Sequence, residues 1–473
     1  MFHSNLIYLL VPALLGLLGS AGALMRESQQ RRRFVAAMLL LEPIFCLLAA
    51  DLRGSLVLVR NGAASLVLRG DAAGSLLSIF FSVLFCLAGF FGFEYLEGRR
   101  ERSFYCGFML MQAAAQLACC AGTGFCFALA FWAALACGWA MLFSQKRHLG
   151  KTARFGLITL AAAGLLLLGA LGVLVRAGGA LTFTPGGLAA LAGTALSPLL
   201  LCAAVVLAVA FCFLPCALLC FAAAGRMPNT LGLAAFAGVL PALGVLAWLR
   251  FGCEVFRAAA LRASLLFPAL PYAALGLALA CALAALRAKS LALLLAFAVS
   301  AEYNCLLAGV FSAGKAAVSA GFGALFACGT AAAGLFLAAA AFDCKTGKLQ
   351  TAQLQGVGRE MPFTLFCYAV CALSLAGLPP FAGFAARWGL AASLPLDTVA
   401  GPALLSLFAA GYLLTPVARG FFPGGDYEPD MKVRAGPALI FPLGILAGMT
   451  LLGGLFGGLL AALAREVGTA LIL

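Results

Sequence analysis

Three ionisable residues stand inside long apolar runs of this chain, and any charge chemistry within those runs falls to them. Glu42 lies in Leu39-Leu40-Leu41-Glu42-Pro43, Glu302 in Ser300-Ala301-Glu302-Tyr303-Asn304, and Arg387 follows two consecutive prolines. Moving a proton or cation through hydrocarbon needs groups that can change charge. A carboxyl in a low-dielectric setting can do so, because burial brings its neutral form within reach. A guanidinium does not give up its proton in proteins, so Arg387 can serve only as a fixed charge. Two roles are open for each. Glu302, with Tyr303 and Asn304 beside it, is either a switching carboxyl or half of a fixed pair with an arginine such as Arg387. Glu42 is either a switching group or a carboxyl receiving a hydrogen bond from a neighbouring helix. Arg387 is an intramembrane charge or a helix-end arginine snorkelling to the interface. Glu94 and Lys315 lie near helix ends and read as interfacial charges.

The element that must position Arg387 is itself unusual. From about Phe363 an apolar helix runs into Leu373-Ser374-Leu375-Ala376-Gly377-Leu378-Pro379-Pro380-Phe381-Ala382-Gly383-Phe384, then resumes through Arg387 and Trp388. Pro379 and Pro380 remove two backbone donors, and Gly377 and Gly383 loosen the chain on either side. Such a break survives at membrane depth only where protein or trapped water satisfies the freed carbonyls, as along an ion path. A second interruption is expected at Pro215, in a span that also carries Pro198 near its start. Two interrupted spans at corresponding points suggest an internal repeat whose broken helices meet near the midplane. Kinked helices with a purely structural role are the alternative.

Around these elements the composition is that of a polytopic membrane protein. Of 473 residues, 64% are hydrophobic and 10% charged, with a mean hydropathy of +1.10, against about 25% charged residues in soluble domains. With about 20 apolar residues per spanning helix, splitting at charged or Pro/Gly-rich breaks gives about fourteen spans, from Ser4–Leu24 to Ala435–Leu463. The first lacks a basic leader and reads as a span rather than a signal peptide. The longest loop, Leu52–Gly74, alternates apolar residues around Asn61-Gly62 and reads as a β-hairpin. The formal charge of +14 sits in short loops, biased roughly two to one toward one side. That bias places the richer side in the cytoplasm and both termini on the extracytoplasmic side of the cell (inner) membrane, and implies no nucleic-acid partner. The 18 cysteines lie mostly in apolar runs without paired C-x-x-C clusters, so no disulfide framework, metal site or iron–sulfur centre is expected. Cys212, Cys216 and Cys220 share a helix face and read as small packing residues. With only His3 and His148, histidine-ligated haem is not expected, and no phosphate-cradling loop is present. No cofactor is expected in this chain.

The broken-helix stretch, G-L-P-P-F-x-G-F-x-x-[K/R]-W, resembles that of the antiporter-like membrane subunits of respiratory complex I, Mrp-type Na+/H+ antiporters and energy-converting membrane-bound hydrogenases. Leu293–Ser300, Leu335–Ala339, Met361–Thr364 and Ala237–Arg250 resemble further runs of that family. The resemblance implies an all-α fold of fourteen helices, with two inverted five-helix repeats and broken seventh and twelfth helices. It implies segments 1–103 for helices 1–3, 104–250 and 251–422 for the repeats, and 423–473 for the last helix. It also implies other membrane subunits as partners, H+ or Na+ as the ion, and a lipid bilayer around the chain. Yet the family's charged positions are mostly lost. Its fifth-helix W-E falls on Trp132-Ala133, its seventh- and eighth-helix lysines on Ala210 and Ala242, and its eleventh-helix pair near Cys328 and Ala332. Only the twelfth-helix position keeps a charge, as Arg387. The expectation is therefore an antiporter-like subunit of a proton- or cation-translocating redox complex with a degenerate channel. The alternatives are a working translocator using Glu302 and Arg387, or an unrelated small-solute carrier.

Overall fold

The computed structural model describes residues 6–59, 65–145, 150–179, 181–184, 187–188, 197–225, 229–256, 258–264, 267–394, 398–422 and 435–471. Helices dominate. A 3-10 turn (Leu6–Leu10) leads into α1 (Val11–Ala23), followed by α2 (Ser28–Ala49) and a two-stranded antiparallel hairpin, β1 (Gly54–Val59) with β2 (Leu66–Gly70). Then come α3 (Ala72–Tyr95), α4 (Glu101–Cys119), α5 (Gly124–Phe143), α6 (Lys151–Gly178), α7 (Pro198–Ala223) and α8 (Thr230–Val255). The second half holds α9 (Ala269–Arg287), α10 (Leu291–Phe311), α11 (Lys315–Thr346), α12 (Pro362–Leu375), α13 (Ala382–Ser393), α14 (Ala400–Phe421), α15 (Pro437–Leu455) and α16 (Gly457–Leu471). Eleven helices among the described residues are long and apolar enough to cross a membrane. The expected hairpin is present, although its Asn61-Gly62 turn lies outside the described residues.

Burial separates a central pair of helices from a rim. The most apolar stretch of α8 is 100% buried and that of α11 is 94% buried, whereas in α6 the figure is 28%. α11 is rich in Ala and Gly, and α8, α10, α12, α13, α15 and α16 all pack on it. Small residues allow that crowding, since helices in lipid associate by close packing rather than by the hydrophobic effect. A Cβ added at Gly334 would lie 2.5 Å from Cys371 Sγ, and one at Gly329 would lie 2.8 Å from the Phe80 ring. Several helix starts carry side-chain caps that satisfy free N–H groups: Asp71 on Gly74, Thr123 on Cys126 and Asn229 on Gly232.

Two readings of the sequence are corrected here. Prolines interrupt more than two spans: Pro43, Pro241, Pro416 and Pro442 also lie inside helices. A proline costs only one backbone bond, so neighbouring helices can carry a helix through it without a break. The last expected span, Ala435–Leu463, is two helices, because the chain leaves helical geometry at Phe456 within Gly453-Gly454-Leu455-Phe456-Gly457-Gly458. The second of them, α16, lies against α11, where a Cβ at Gly468 would meet Ser319 Oγ at 2.0 Å. Apart from the expected hairpin, the fold is that of an all-α polytopic membrane protein.

Candidate ion-path site

The break between α12 and α13 is made by its glycines and prolines together. α12 ends at Leu375, and Gly377 turns the chain with φ +74, a conformation side chains rarely adopt. The Pro379-Pro380 bond is cis. At the start of α13, the Gly383 N–H donates to Ser374 Oγ at 3.1 Å, and a Cβ at Gly383 would lie 1.8 Å from the Ser374 carbonyl oxygen. Gly454 of α15 seals the break from outside, where a Cβ would meet the Pro380 carbonyl at 2.0 Å. Gly377 is therefore required by its positive φ, and Gly383 and Gly454 by close approach.

Arg387 reaches back from α13 into this break. Its Nη2 donates to the Leu375 carbonyl at 2.6 Å and its Nη1 to the Ala376 carbonyl at 2.9 Å. These are carbonyls at the C-terminus of α12, where helical partners run out and the dipole is negative. Nη1 also donates to Ser406 Oγ of α14. The remaining donors go to Glu302 of α10: Nε to Oε2 at 3.1 Å and Nη2 to Oε1. A guanidinium has five N–H donors, and all five are used. The pair is bidentate and buried, with Glu302 8% and Arg387 9% exposed. This is the fixed-pair arrangement, with Arg387 also serving as the cap of a broken helix, and not an arginine snorkelling to the interface.

Tyr303 and Asn304 do not join the pair. Asn304 Nδ2 donates to the Ser300 carbonyl at 2.7 Å, while Asn304 Oδ1 and the Tyr303 hydroxyl have no hydrogen-bond partner among the described residues. Consecutive helical residues point about 100° apart, so adjacency in sequence did not place them together. A cavity of about 30 Å³ adjoins the pair, lined by Glu302, Cys305, Cys328, Ser374 and Arg387 among others. That is room for a water or two. Through Ala324, Ala327 and Ala386 it borders a groove of about 570 Å³ between α11, α13, α15 and α16, whose lining is apolar apart from Ser319 and Arg465.

Where charges would continue a route, the chain is packed and apolar. Ala210, Ala242, Cys328 and Ala332 are all buried. Pro215 cannot donate to the Phe211 carbonyl, and α7 widens there into a π-turn, Val209–Phe213. α8 closes onto that turn: a Cβ at Gly244 would lie 2.1 Å from the Phe211 carbonyl oxygen, and Cys212 Sγ donates to the Gly244 carbonyl at 3.6 Å. Pro215 thus sits at a widened turn in a continuous helix. Cys216 and Cys220 face α10, where the Ser300 hydroxyl lies 3.3 Å from Cys220 Sγ. On α5, Ala133 is exposed and Ala134 buried, so the position matched to the family's glutamate faces outward.

Glu42 lies elsewhere, between α2, α3 and α4, and makes no contact with Glu302 or Arg387. Its Oε1 accepts from Gln116 Nε2 at 2.8 Å, and Ser78 Oγ donates to Gln116 Oε1 at 2.6 Å. A third polar cluster is not announced by the sequence, where its arginines, Arg69 and Arg250, read as loop charges. Arg250 is 1% exposed and Glu254 is 0% exposed, and both stand in a π-turn (Arg250–Val255) that ends α8. Arg250 donates to the Ala121 carbonyl, to the Cys119 carbonyl at 2.6 Å and to Asp71 Oδ1 at 3.1 Å. Arg69 of β2 donates to Glu254 Oε1 at 2.6 Å. The signal available was Arg-x-x-x-Glu at the end of an apolar run, a spacing that puts opposite charges on one helical face.

Fold and site together define a polytopic helical membrane protein with a discontinuous helix capped by a buried Arg–Glu pair. The NADH:quinone oxidoreductase/Mrp antiporter transmembrane family model matches residues 126–410, and the chain belongs to that family of antiporter-like subunits. It is 31% identical over 222 residues to NADH-quinone oxidoreductase subunit 13 of Thermus thermophilus, covering 46% of each chain. A shorter match, 43% identical over 51 residues, is to NAD(P)H-quinone oxidoreductase subunit 2 of a Synechococcus strain, with 11% of this chain and 10% of that protein covered. The chain thus matches less than half the length of these curated relatives. Among solved structures it superposes along nearly its whole length on a chain of the Mrp complex of Dietzia sp. DQ12-45-1b (TM-score 0.83, 18% identity, 100% and 97% covered). It does likewise on a chain of Thermus thermophilus respiratory complex I (TM-score 0.80, 21% identity, 98% and 99% covered). A chain of a membrane-bound sulfane sulfur reductase, an archaeal respiratory membrane complex, also superposes (TM-score 0.83, 16% identity, 99% and 98% covered). At these identities the structural likeness establishes the fold alone.

Proposed function

We propose that this chain is a membrane subunit of a multi-subunit redox or antiport complex of the complex I, Mrp or membrane-bound hydrogenase type, and that its own ion route is degenerate. The observation that carries the reading is the saturation of Arg387: five donors on five acceptors, with Glu302 held bidentate. A carboxylate locked to a permanent cation loses two charge-assisted hydrogen bonds when it takes a proton, so the pair resists switching. The packed alanines at the family's lysine positions support the same conclusion. The subunit's role is then to present helices and interfaces to charge-bearing partners, with H+ or Na+ moving through those partners rather than along this chain. Any electron transfer belongs to the complex, and this chain needs no cofactor.

The reading includes a finer architecture. α2, α4 and the α12/α13 pair join the eleven long helices as spans, giving fourteen. Residues 104–250 (α4–α8) and 251–422 (α9–α14) form two inverted five-helix repeats, flanked by 1–103 and 423–473. Both termini lie on the extracytoplasmic side of the cell membrane. What supports this is the loop-charge bias and the resemblance of the proline-marked spans, α7 and α12/α13. Extraction from native membranes in mild detergent tests assembly: the chain is expected to migrate in one large complex with other membrane subunits. Migration as a lone chain that conducts ions would instead support the working-translocator reading, with Glu302 as the switching group.

A further inference from the structure

Among the described residues, Glu42 is the one buried glutamate with no ion-pair partner. It is 0% exposed, and its Oε2 has no hydrogen-bond partner among them. The elements around it supply these groups among the described residues. α2 contributes Cys46, α3 contributes Ser78, Ser82 and Cys86, and α4 contributes Gln116. α1, which packs on both α2 and α4, carries no charged residue between Leu6 and Ala23. The nearest basic residue on α2 is Arg33, about 13 Å away along the helix and exposed, and Arg31 and Arg32 beyond it are bound to Glu101. A carboxylate with no cation and one amide donor is far too costly at that depth, so the group must carry a positive partner of its own. The smallest is a proton. Gln116 spends its oxygen on the Ser78 hydroxyl and offers Glu42 only N–H, so the oxygens a metal cation would need are not assembled around it.

A second buried polar group stands on the helix that carries Gln116. Gln112 is 0% exposed, and neither its Oε1 nor its Nε2 has a partner among the described residues. It stands one turn before Gln116 on the same face of α4. An unpartnered buried amide one turn from the Gln116 that binds Glu42 marks a polar pocket of the kind that holds water, and a protonated Oε2 of Glu42 is a donor that needs such an acceptor. Polar atoms continue the other way too. One turn beyond Gln116, the Cys119 and Ala121 carbonyls accept from Arg250, whose guanidinium also holds Asp71.

We infer that Glu42 is a proton-binding site, a neutral carboxylic acid between α2, α3 and α4 whose proton is exchangeable. It is separate from the Glu302–Arg387 pair and supplies a local change of charge without a through route. Infrared difference spectra of the full chain reconstituted in lipid, in H2O and D2O at neutral pH, test this. Wild type minus Glu42→Gln is expected to show a carboxylic-acid C=O band that shifts to lower frequency in D2O. Glu42→Asp is expected to move that band without abolishing it, and carries the test if the glutamine variant does not fold. Carboxylate bands in these differences instead, lost in Glu42→Gln or moved in Glu42→Asp, would show Glu42 ionised and overturn the proposal. An acid band that stays unshifted after prolonged D2O exposure would overturn it as well, leaving only a sealed structural acid.

Discussion

Glu302 and Glu42 are the same side chain, both buried, and the structure treats them oppositely. Glu302 is clasped by a guanidinium that simultaneously caps a broken helix. Glu42 has a single amide donor and a free oxygen. Burial alone therefore does not say whether an intramembrane carboxyl can switch. The partner decides, since a fixed cation holds the carboxylate form and a neutral amide leaves room for a proton.

Removing Glu302's partner should have the largest effect. Arg387→Ala strands a buried carboxylate and uncaps the Leu375 and Ala376 carbonyls, an expected loss of about 3–5 kcal/mol, seen as a lower unfolding midpoint in detergent. The paired change Glu302→Gln with Arg387→Met, which leaves no stranded charge, should recover part of that loss. A double variant no more stable than Arg387→Ala would mean that capping, not charge pairing, dominates. Next comes the break itself. Gly383→Ala drives a Cβ into the Ser374 carbonyl and should cost about 1–3 kcal/mol, whereas Gly448→Ala, in open space on α15, should change the midpoint little. Smallest is Glu42→Gln, expected within about 1 kcal/mol of wild type, because an amide replaces a neutral acid without losing a counter-charge. A drop as large as that of Arg387→Ala would contradict the contrast between the two glutamates.

These differences also explain what was legible in the sequence. The α12/α13 break could be read because prolines and glycines mark backbone geometry locally, and Arg387 stood out as a lone cation in an apolar run. The candidate pairing with Glu302, 85 residues away, needed only the scarcity of other charges. Tyr303 and Asn304 misled because helical rotation separates neighbours. Gln116 and Gln112 went unremarked, since a neutral amide in a span carries no charge signal, and its partner lies 74 residues away on another helix. Arg250 reads as a loop charge, and Glu254 carries no sequence signal of its own, because the α8 π-turn extends the buried helix beyond where the apolar run ends. The break at Phe456 was marked by glycines, but glycines are common in membrane helices and do not by themselves end one.

The central claim is that Glu302 is fixed by Arg387 and that this chain lacks an ion route of its own. Proton and sodium flux into proteoliposomes carrying the isolated, folded chain tests it most directly, with wild type compared against Glu302→Gln and Arg387→Ala. No flux above protein-free vesicles is expected for wild type or Glu302→Gln. Wild-type flux that collapses in Glu302→Gln would contradict the account and make Glu302 the switching carboxyl.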